Sequence, residues 1–415
     1  MSGAATVAEQ GHAADPSIRV AVRPDPEPPR SSALLALPLA LLTLGLTYWT
    51  VDIVSPALPD IHGSLHLTGA GAGLVFAAFF GGRLVTNLPA AMLVNRHGPR
   101  WTAAIGAILL TVGSIIAMVA GGPLTLLPAR GVQGVGVACL ATAGLLSVLR
   151  ARPGRGAAMT AFNLASGLGG SAGLISGGLL TGAVGWRGVF ALSAAIGAVV
   201  LAGTFFSRER ALPAVATTSG GIDREPMEAN ADRQALGIAL AANLLVYVNY
   251  SIWVVSLPLF AAERFHADAR RIGSLLLVVN VVHLSAAIPA GRVIRHLGPS
   301  VALAGGFGLT ALGLAGVLIV PSEGWLLGPI MLYAVGQVTG SSAAGDLLLR
   351  RGGGGGRAVG FVRLTSDVGL VAGPAGVGLL ADIAGVSAPF GVLAAIAMVA
   401  AVATWYGATR HRPSA

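Results

Sequence analysis

The chain has 415 residues, 54% hydrophobic and only 10% charged, with a mean hydropathy of +0.77. A soluble domain carries about 25% charged residues, so the composition excludes a soluble globular protein and indicates a polytopic membrane protein. The net charge of +9 comes from 26 basic residues, all arginine, in short runs between apolar stretches, which argues for membrane topology and against nucleic-acid binding. The single cysteine, Cys139, lies inside an apolar stretch, so neither a disulfide framework nor a cysteine metal site is expected. Residues 1–32 are polar and Pro-rich without an apolar core, and read as a disordered cytoplasmic tail, not a signal peptide.

Twelve apolar spans follow, near 33–58, 70–94, 101–120, 125–149, 157–181, 188–206, 235–261, 272–291, 299–321, 325–349, 358–381 and 387–407. Each approximates the 20 or so residues a helix needs to cross about 30 Å of hydrocarbon. The arginines gather in the amino tail, the even-numbered loops and the carboxyl tail, so the positive-inside rule predicts both termini in the cytoplasm of a cell membrane. The longest connection, 207–234, mixes both charge signs with Pro, Gly and Ser. It reads as a flexible cytoplasmic linker between a first half, 33–206, and a second, 235–407, with 408–415 as a cytoplasmic tail. The halves repeat at an offset near 200. NRHGPR at 95–100 answers RHLGPS at 295–300, and GGSAGLISGG at 169–178 answers GLVAGPAGVG at 369–378. A parallel repeat of two six-helix halves is a transporter architecture. The expected fold is therefore an all-α bundle of twelve transmembrane helices in two pseudo-symmetric halves.

Within the fourth span, Arg130 stands among apolar residues, with Gln133 and Val137 on its face and Gly134 and Gly136 open to a neighbouring helix. A charge in hydrocarbon costs about 2.5–3.5 kcal/mol, so Arg130 needs a polar cavity or a partner, unless it snorkels to the interface. Asp52, in the first span, lies at a similar depth. Arg83, mid-span in the second, and Asp367, at comparable depth in the eleventh, form a second candidate pair that would latch the halves together; Arg363, one turn from Asp367, is the alternative partner. His283 is the one mid-span histidine in the eighth span, open to titration or to plain packing.

These residues resemble the major facilitator superfamily over 33–407. AMLVNRHGPR at 91–100 is similar to its signature cytoplasmic loop, though Ala91 and Asn95 replace the usual Gly and Asp. ARGVQGVG resembles the fourth-helix arginine motif of proton-coupled members. Gly169, Gly173, Gly177 and Gly178 resemble the fifth-helix antiporter motif, with Leu174 in place of its proline; the repeat copy has Gly373 and Pro374. WRGVF at 186–190 and YWTVDIVSPALPDI at 48–61 resemble segments of bacterial drug:proton antiporters. The resemblance implies helices 1, 4, 7 and 10 around a central cavity, with Asp52, Arg130 and Gln133 coupling protons; the alternative is that Asp52 and Arg130 form a fixed structural ion pair. Cavity candidates are Tyr48, Ser55 and Val137, then Asn243, Tyr247 and Tyr250, then Tyr333, Gln337 and Ser341, each of which helix packing would also explain. Gating candidates are Arg83, Asn95, Arg96, Gly98, Arg100 and Asp367, with Asn95 capping the start of the eleventh helix.

The expected function is secondary transport by alternating access, namely proton-coupled export of a drug-like or secondary-metabolite molecule by a monomer in the lipid bilayer. A proton symporter or uniporter importing a polar metabolite is the alternative, and a non-transporting sensor or scaffold a remote one. No nucleophile–base pair is readable, so an enzyme is not expected, nor are a cofactor, a metal or a nucleic-acid partner. The Gly352–Gly356 run lacks the lysine of a phosphate-binding loop.

Overall fold

In hydrocarbon a chain can satisfy its backbone N–H and C=O groups only within itself, so apolar stretches of this length become helices. The computed structural model of the chain describes residues 30–151, 155–206, 233–351 and 356–410, and every regular element among them is helical. The first half comprises α1 (Arg30–Asp52), α2 (Leu58–Ser64), α3 (Gly69–Met118), α4 (Pro123–Ala151), α5 (Arg155–Val184) and α6 (Trp186–Phe206). The second comprises α7 (Arg233–Ser251), a π-helical turn (Ile252–Ser256), α8 (Leu257–Phe265), α9 (Ala269–Leu297), α10 (Pro299–Leu318), a 3-10 turn (Glu323–Leu326), α11 (Leu327–Arg351), α12 (Gly356–Ala384) and α13 (Ala388–Arg410). Most of the linker, most of the amino tail, 411–415 and residues 352–355 of the glycine run lie outside the described residues.

Nine helices among the described residues are long and apolar enough to cross a membrane, counting the 50-residue α3 once. That helix is two spans joined at Gly98, whose backbone (φ 84°, ψ 166°) leaves the helical region. The stretch 95–100, expected as a loop, is thus helical on both sides of one residue. Only Gly takes that conformation without strain, and Pro99 restarts the helix with its fixed φ. With α1 and α11 the spans number twelve, the first being α1 and α2 and the seventh running from α7 through α8.

The repeat is written into the backbone. The described residues with left-handed φ fall in pairs 200 apart: His66 and His266, Gly98 and Gly298, Gly185 and Gly385. The caps obey the same offset. Thr68 accepts from the Gly71 N–H at 3.0 Å, and Asp268 from the Arg271 N–H at 2.9 Å.

The halves meet where α3 crosses α12 and where α5 crosses α9. Both crossings need a glycine at the same repeat position. A Cβ on Gly273 would lie 2.6 Å from the Leu174 carbonyl oxygen, and one on Gly73 would overlap the Pro374 carbonyl. At the end of the bundle away from Arg30 and Arg410, α2 packs on α8, and Ile53, Val54, Leu58, Leu257 and Phe260 are buried in one core. There Asp382 of α12 accepts hydrogen bonds from the backbone N–H groups of Gly69 and Ala70, capping α3 from the opposite half. The halves are closed at this end.

Candidate functional site

The first span breaks directly after Asp52. Pro56 has no N–H to donate, and the chain turns through 53–57 on shorter-range bonds: Ser55 N–H to the Asp52 carbonyl at 3.1 Å and Ala57 N–H to the Val54 carbonyl at 3.1 Å. Asp52 is the last residue of α1, partly buried, and its Oδ1 accepts from the Tyr250 hydroxyl of the other half at 3.4 Å. Gly170 of α5 makes room for it, since a Cβ there would overlap Asp52 Oδ2. Beside Gly170, the Asn280 amide donates to Ser171 Oγ at 2.9 Å and to the Gly167 carbonyl at 3.3 Å.

Rings continue from Asp52. Tyr250 stacks on Trp253 with centroids 6.0 Å apart, Trp253 meets His283 edge-on at 5.9 Å, and Phe80 meets Tyr250 edge-on at 6.4 Å. Trp253 stands on the π-helical turn that answers the break in the first span at the 200-residue offset. Such turns mark places where regular packing gives way to a function. Ser55 Oγ, Trp253 Nε1, Ser256 Oγ and His283 Nδ1 are buried here without a hydrogen-bond partner among the described residues.

Arg130 lies elsewhere. It is 1% exposed, so it does not snorkel. Its Nε donates to the Val75 carbonyl at 3.2 Å and its Nη1 to Gln133 Oε1 at 2.7 Å, while Gln133 Nε2 donates to Ser114 Oγ at 2.7 Å. The guanidinium also sits 4.5 Å from the Phe79 ring centroid. Gly134 lets α4 approach the Phe79 carbonyl of α3. The charge is thus held by neutral oxygens and ring faces, with Nη2 unpartnered among the described residues. The structure therefore does not bring Arg130 and Asp52 into an ion pair: Asp52 is held by α5 and α7, and Arg130 is folded between α3 and α4.

The other pair does form. Arg83 Nη2 lies 3.2 Å from Asp367 Oδ1, joining α3 to α12, with side chains 17% and 4% exposed. Asn87 donates to Asp367 Oδ2 and accepts at Oδ1 from Arg363 Nη2 at 3.4 Å. Arg363 therefore reaches Asn87 instead of Asp367. Arg83 also lies 5.7 Å from the Phe80 centroid, which touches Tyr250, so the pair and the Asp52 cluster are contiguous. The remaining gating candidates do not join them. Arg96 and Asn95 are exposed, and Arg100 donates to the Phe205 carbonyl of its own half at 3.4 Å. The start of α12, which Asn95 was expected to cap, adjoins residues 352–355, which lie outside the described residues.

The polar atoms of several cavity candidates bond to neighbouring helices, the packing arrangement that was the alternative for each. The Asn243 amide donates to the Val362 carbonyl, Thr365 Oγ1 and Ser366 Oγ at 3.1, 2.7 and 3.0 Å, pinning α7 to α12. The Tyr333 hydroxyl donates to the Asn249 carbonyl at 2.8 Å, and Gln337 Nε2 to the Val246 carbonyl at 2.6 Å, pinning α11 to the seventh span. Val137 is buried in the core, and Ser341 Oγ bonds the Val338 carbonyl at 3.0 Å. Their polar atoms are spent because apolar helices leave backbone carbonyls as the available acceptors. Tyr48, edge-on to Phe162 at 5.8 Å, Tyr247 and Tyr250 stay partly accessible.

The antiporter-motif glycines are close-approach sites. Gly169, Gly173 and Gly177 face the Gly45, Trp49 and Ile53 carbonyls of the first span, while Gly178 faces the Ala269 carbonyl of α9 and Gly373 the Val248 carbonyl of α7. The Pro374 carbonyl, as described above, is what Gly73 approaches. Sequence reasoning missed Ser114, Phe79, Asn87, Gly170, Asn280 and Trp253, which carry no motif and matter through their neighbours. Among the described residues no cluster of His, Cys, Asp or Glu could hold a metal ion.

Comparison with known proteins places this geometry. The family profile described as Major Facilitator Superfamily matches residues 40–350 and 238–415. The chain is 34% identical over 171 residues to "Multidrug resistance protein Stp" of Mycobacterium tuberculosis (strain CDC 1551 / Oshkosh), covering 40% of this chain and 32% of that protein. It is 32% identical over 184 residues to "Puromycin resistance protein pur8" of Streptomyces alboniger, covering 43% and 35%. The chain thus spans about a third of the length of these curated relatives. A solved bacterial homologue of the human lysosomal transporter Spinster, inward-facing and occupied, superposes with a TM-score of 0.74 at 16% identity over 93% of this chain and 98% of that one. At that identity the likeness carries the fold alone.

Proposed function

The chain belongs to the Major Facilitator Superfamily, and from that premise we propose that it exports drug-like or secondary-metabolite molecules by alternating access, driven by the proton gradient. The observation that carries this reading is Asp52: a carboxyl at the break of the first span, with no basic partner among the described residues, held by a hydroxyl from the opposite half. A proton taken up there changes a contact between halves, which is what coupling transport to protons requires. Relatives named for multidrug and puromycin resistance support export as the direction and lipophilic small molecules as the cargo. The partly accessible rings of Tyr48, Tyr247 and Tyr250, with Trp253 behind them, suit such cargo.

In this reading the end at which α1 begins and α13 ends faces the cytoplasm of a cell membrane. The present closure at the α2/α8 end is then the cytoplasm-facing state, with the Arg83–Asp367 pair latching α3 to α12. Arg130 and Gln133 act as coupling partners in the other state, where Nη2 of Arg130 finds its acceptor. The protein works as a monomer.

The test is accumulation of ethidium and puromycin in cells stripped of their own efflux pumps, for wild type and Asp52→Asn, with and without a protonophore. Lower accumulation in wild type, abolished by both the substitution and the protonophore, is the expected result. Accumulation above the control would favour import, and undiminished export by Asp52→Asn would remove Asp52 from the mechanism.

A further inference from the structure

A well-formed cavity lies away from Asp52. It is a groove of about 630 Å³ on the flank of the second half, lined by α9, α10, α11 and α13. Its walls include Pro289 and Val293 of α9, Val301 and Gly305 of α10, and Val402 and Trp405 of α13. The lining carries two hydroxyls, Thr339 and Tyr406, and Thr339 Oγ1 bonds the Val335 carbonyl at 2.8 Å. A drug site keeps a few free polar groups to orient its ligand, and this groove offers almost none within.

The repeat explains why it is open. Two hundred residues earlier, Val301 and Gly305 are answered by Trp101 and Ile105, bulky side chains that stand on the same flank of the first half, 62% and 38% exposed. A Cβ built on Gly305 meets nothing within 4 Å. At both positions the second half carries a smaller residue than the first, Val301 against Trp101 and Gly305 against Ile105.

Its mouth is cationic. On α9, Pro289, Arg292, Val293, His296 and Leu297 share one helical face, so Arg292 and His296 stand beside groove-lining residues, with Arg295 one turn from Arg292. All three are exposed, and no hydrogen bond or ion pair of the Arg292 or Arg295 side chain occurs among the described residues. Across the mouth, Trp405 and Tyr406 are 52% and 61% exposed, the rings that favour the headgroup level of a bilayer. The first turn of α10, with its unbonded N–H groups, opens on the same end.

We propose that this groove binds an anionic glycerophospholipid, its acyl chain along Val293, Val301, Gly305 and Val402 and its phosphate on Arg292, Arg295 and His296. An apolar trough closed by cations at headgroup depth matches both parts of that molecule, and a zwitterionic lipid matches only one.

The experiment is native mass spectrometry of the purified full chain with added dioleoyl phosphatidylglycerol or dioleoyl phosphatidylcholine. Wild type should retain phosphatidylglycerol in preference to phosphatidylcholine. Arg292→Gln with Arg295→Gln should weaken phosphatidylglycerol about fivefold per arginine and leave phosphatidylcholine unchanged. Val301→Trp with Gly305→Ile, which restores the residues of the first half, should lose the bound lipid while keeping helical circular dichroism and a single elution peak. Should that variant fail to purify, wild type is labelled with phosphatidylglycerol carrying a photoreactive acyl tail. Labelled peptides containing Ala304 or Val402 support the site, and labelling confined elsewhere overturns it. Equal retention of the two lipids, full retention by the double glutamine variant, or displacement of the lipid by ethidium would each overturn it, the last marking a substrate entry instead.

Discussion

Replacing Asp367 by asparagine leaves the Arg83 guanidinium in an apolar wall between α3 and α12 with only amide oxygens near it. Two unit charges at the observed 3.2 Å attract by about 5 kcal/mol at an effective dielectric of 20. Taking both out of water offsets much of that, but removing one partner of a buried pair costs about 3–5 kcal/mol, because the other charge stays behind unpaired. Even 3 kcal/mol is about a hundredfold in the equilibrium between this arrangement and one in which the crossing has parted. A double-mutant cycle measures it, using Arg83→Gln, Asp367→Asn, both together, and the swap Arg83→Asp with Asp367→Arg. Thermal unfolding in detergent and dye export are read for each. Each single variant should lose thermal stability and most export, the double neutral variant should be better than either single, and the swap should recover part of both. If the single losses simply add in the double variant and the swap is no better, the pair does not latch the halves.

Three further outcomes follow from the same geometry. Asn243→Ala strips the donor from the Val362 carbonyl, Thr365 and Ser366, so it should cost about 1–3 kcal/mol of stability without altering which compounds are exported. A changed compound spectrum would return Asn243 to the substrate site. Ser114→Ala leaves Gln133 Nε2 buried without its acceptor, and a lower unfolding midpoint of similar size is expected; an unchanged midpoint would mean the Arg130–Gln133–Ser114 chain is not holding α3 to α4. Gly73→Leu drives a side chain into the Pro374 carbonyl and should part the halves at the α2/α8 end. A cysteine at Leu257, buried in the native chain, would then label with an impermeant maleimide, while Cys139 stays buried as a built-in control. No gain in labelling would show that the close approach at Gly73 does not hold that end shut.

Why some of this was readable from the chain and some was not comes down to range. Apolar length, arginine placement and the 200-residue repeat are local or periodic properties, so twelve helices in two halves could be read before any coordinates. Arg83 and Asp367 were legible as a pair because each charge sits deep in hydrocarbon and must find an opposite charge at its own depth. Depth alone misled for Asp52 and Arg130. They share a level, but Gly170 opens a niche for Asp52 against α5, and Ser114 with Phe79 closes one around Arg130 inside its own half. A polar stripe on a helix likewise says that a side chain must bond to something, not whether that partner is a ligand or a carbonyl of the next helix. Asn243, Tyr333 and Gln337 had carbonyls or hydroxyls within reach, and Tyr250 had Asp52. The sequence by itself thus determined the number of helices, their repeat and which residues carry an unmet charge. Only the tertiary packing decided which partner each one met, because that depends on close approaches between helices distant in sequence.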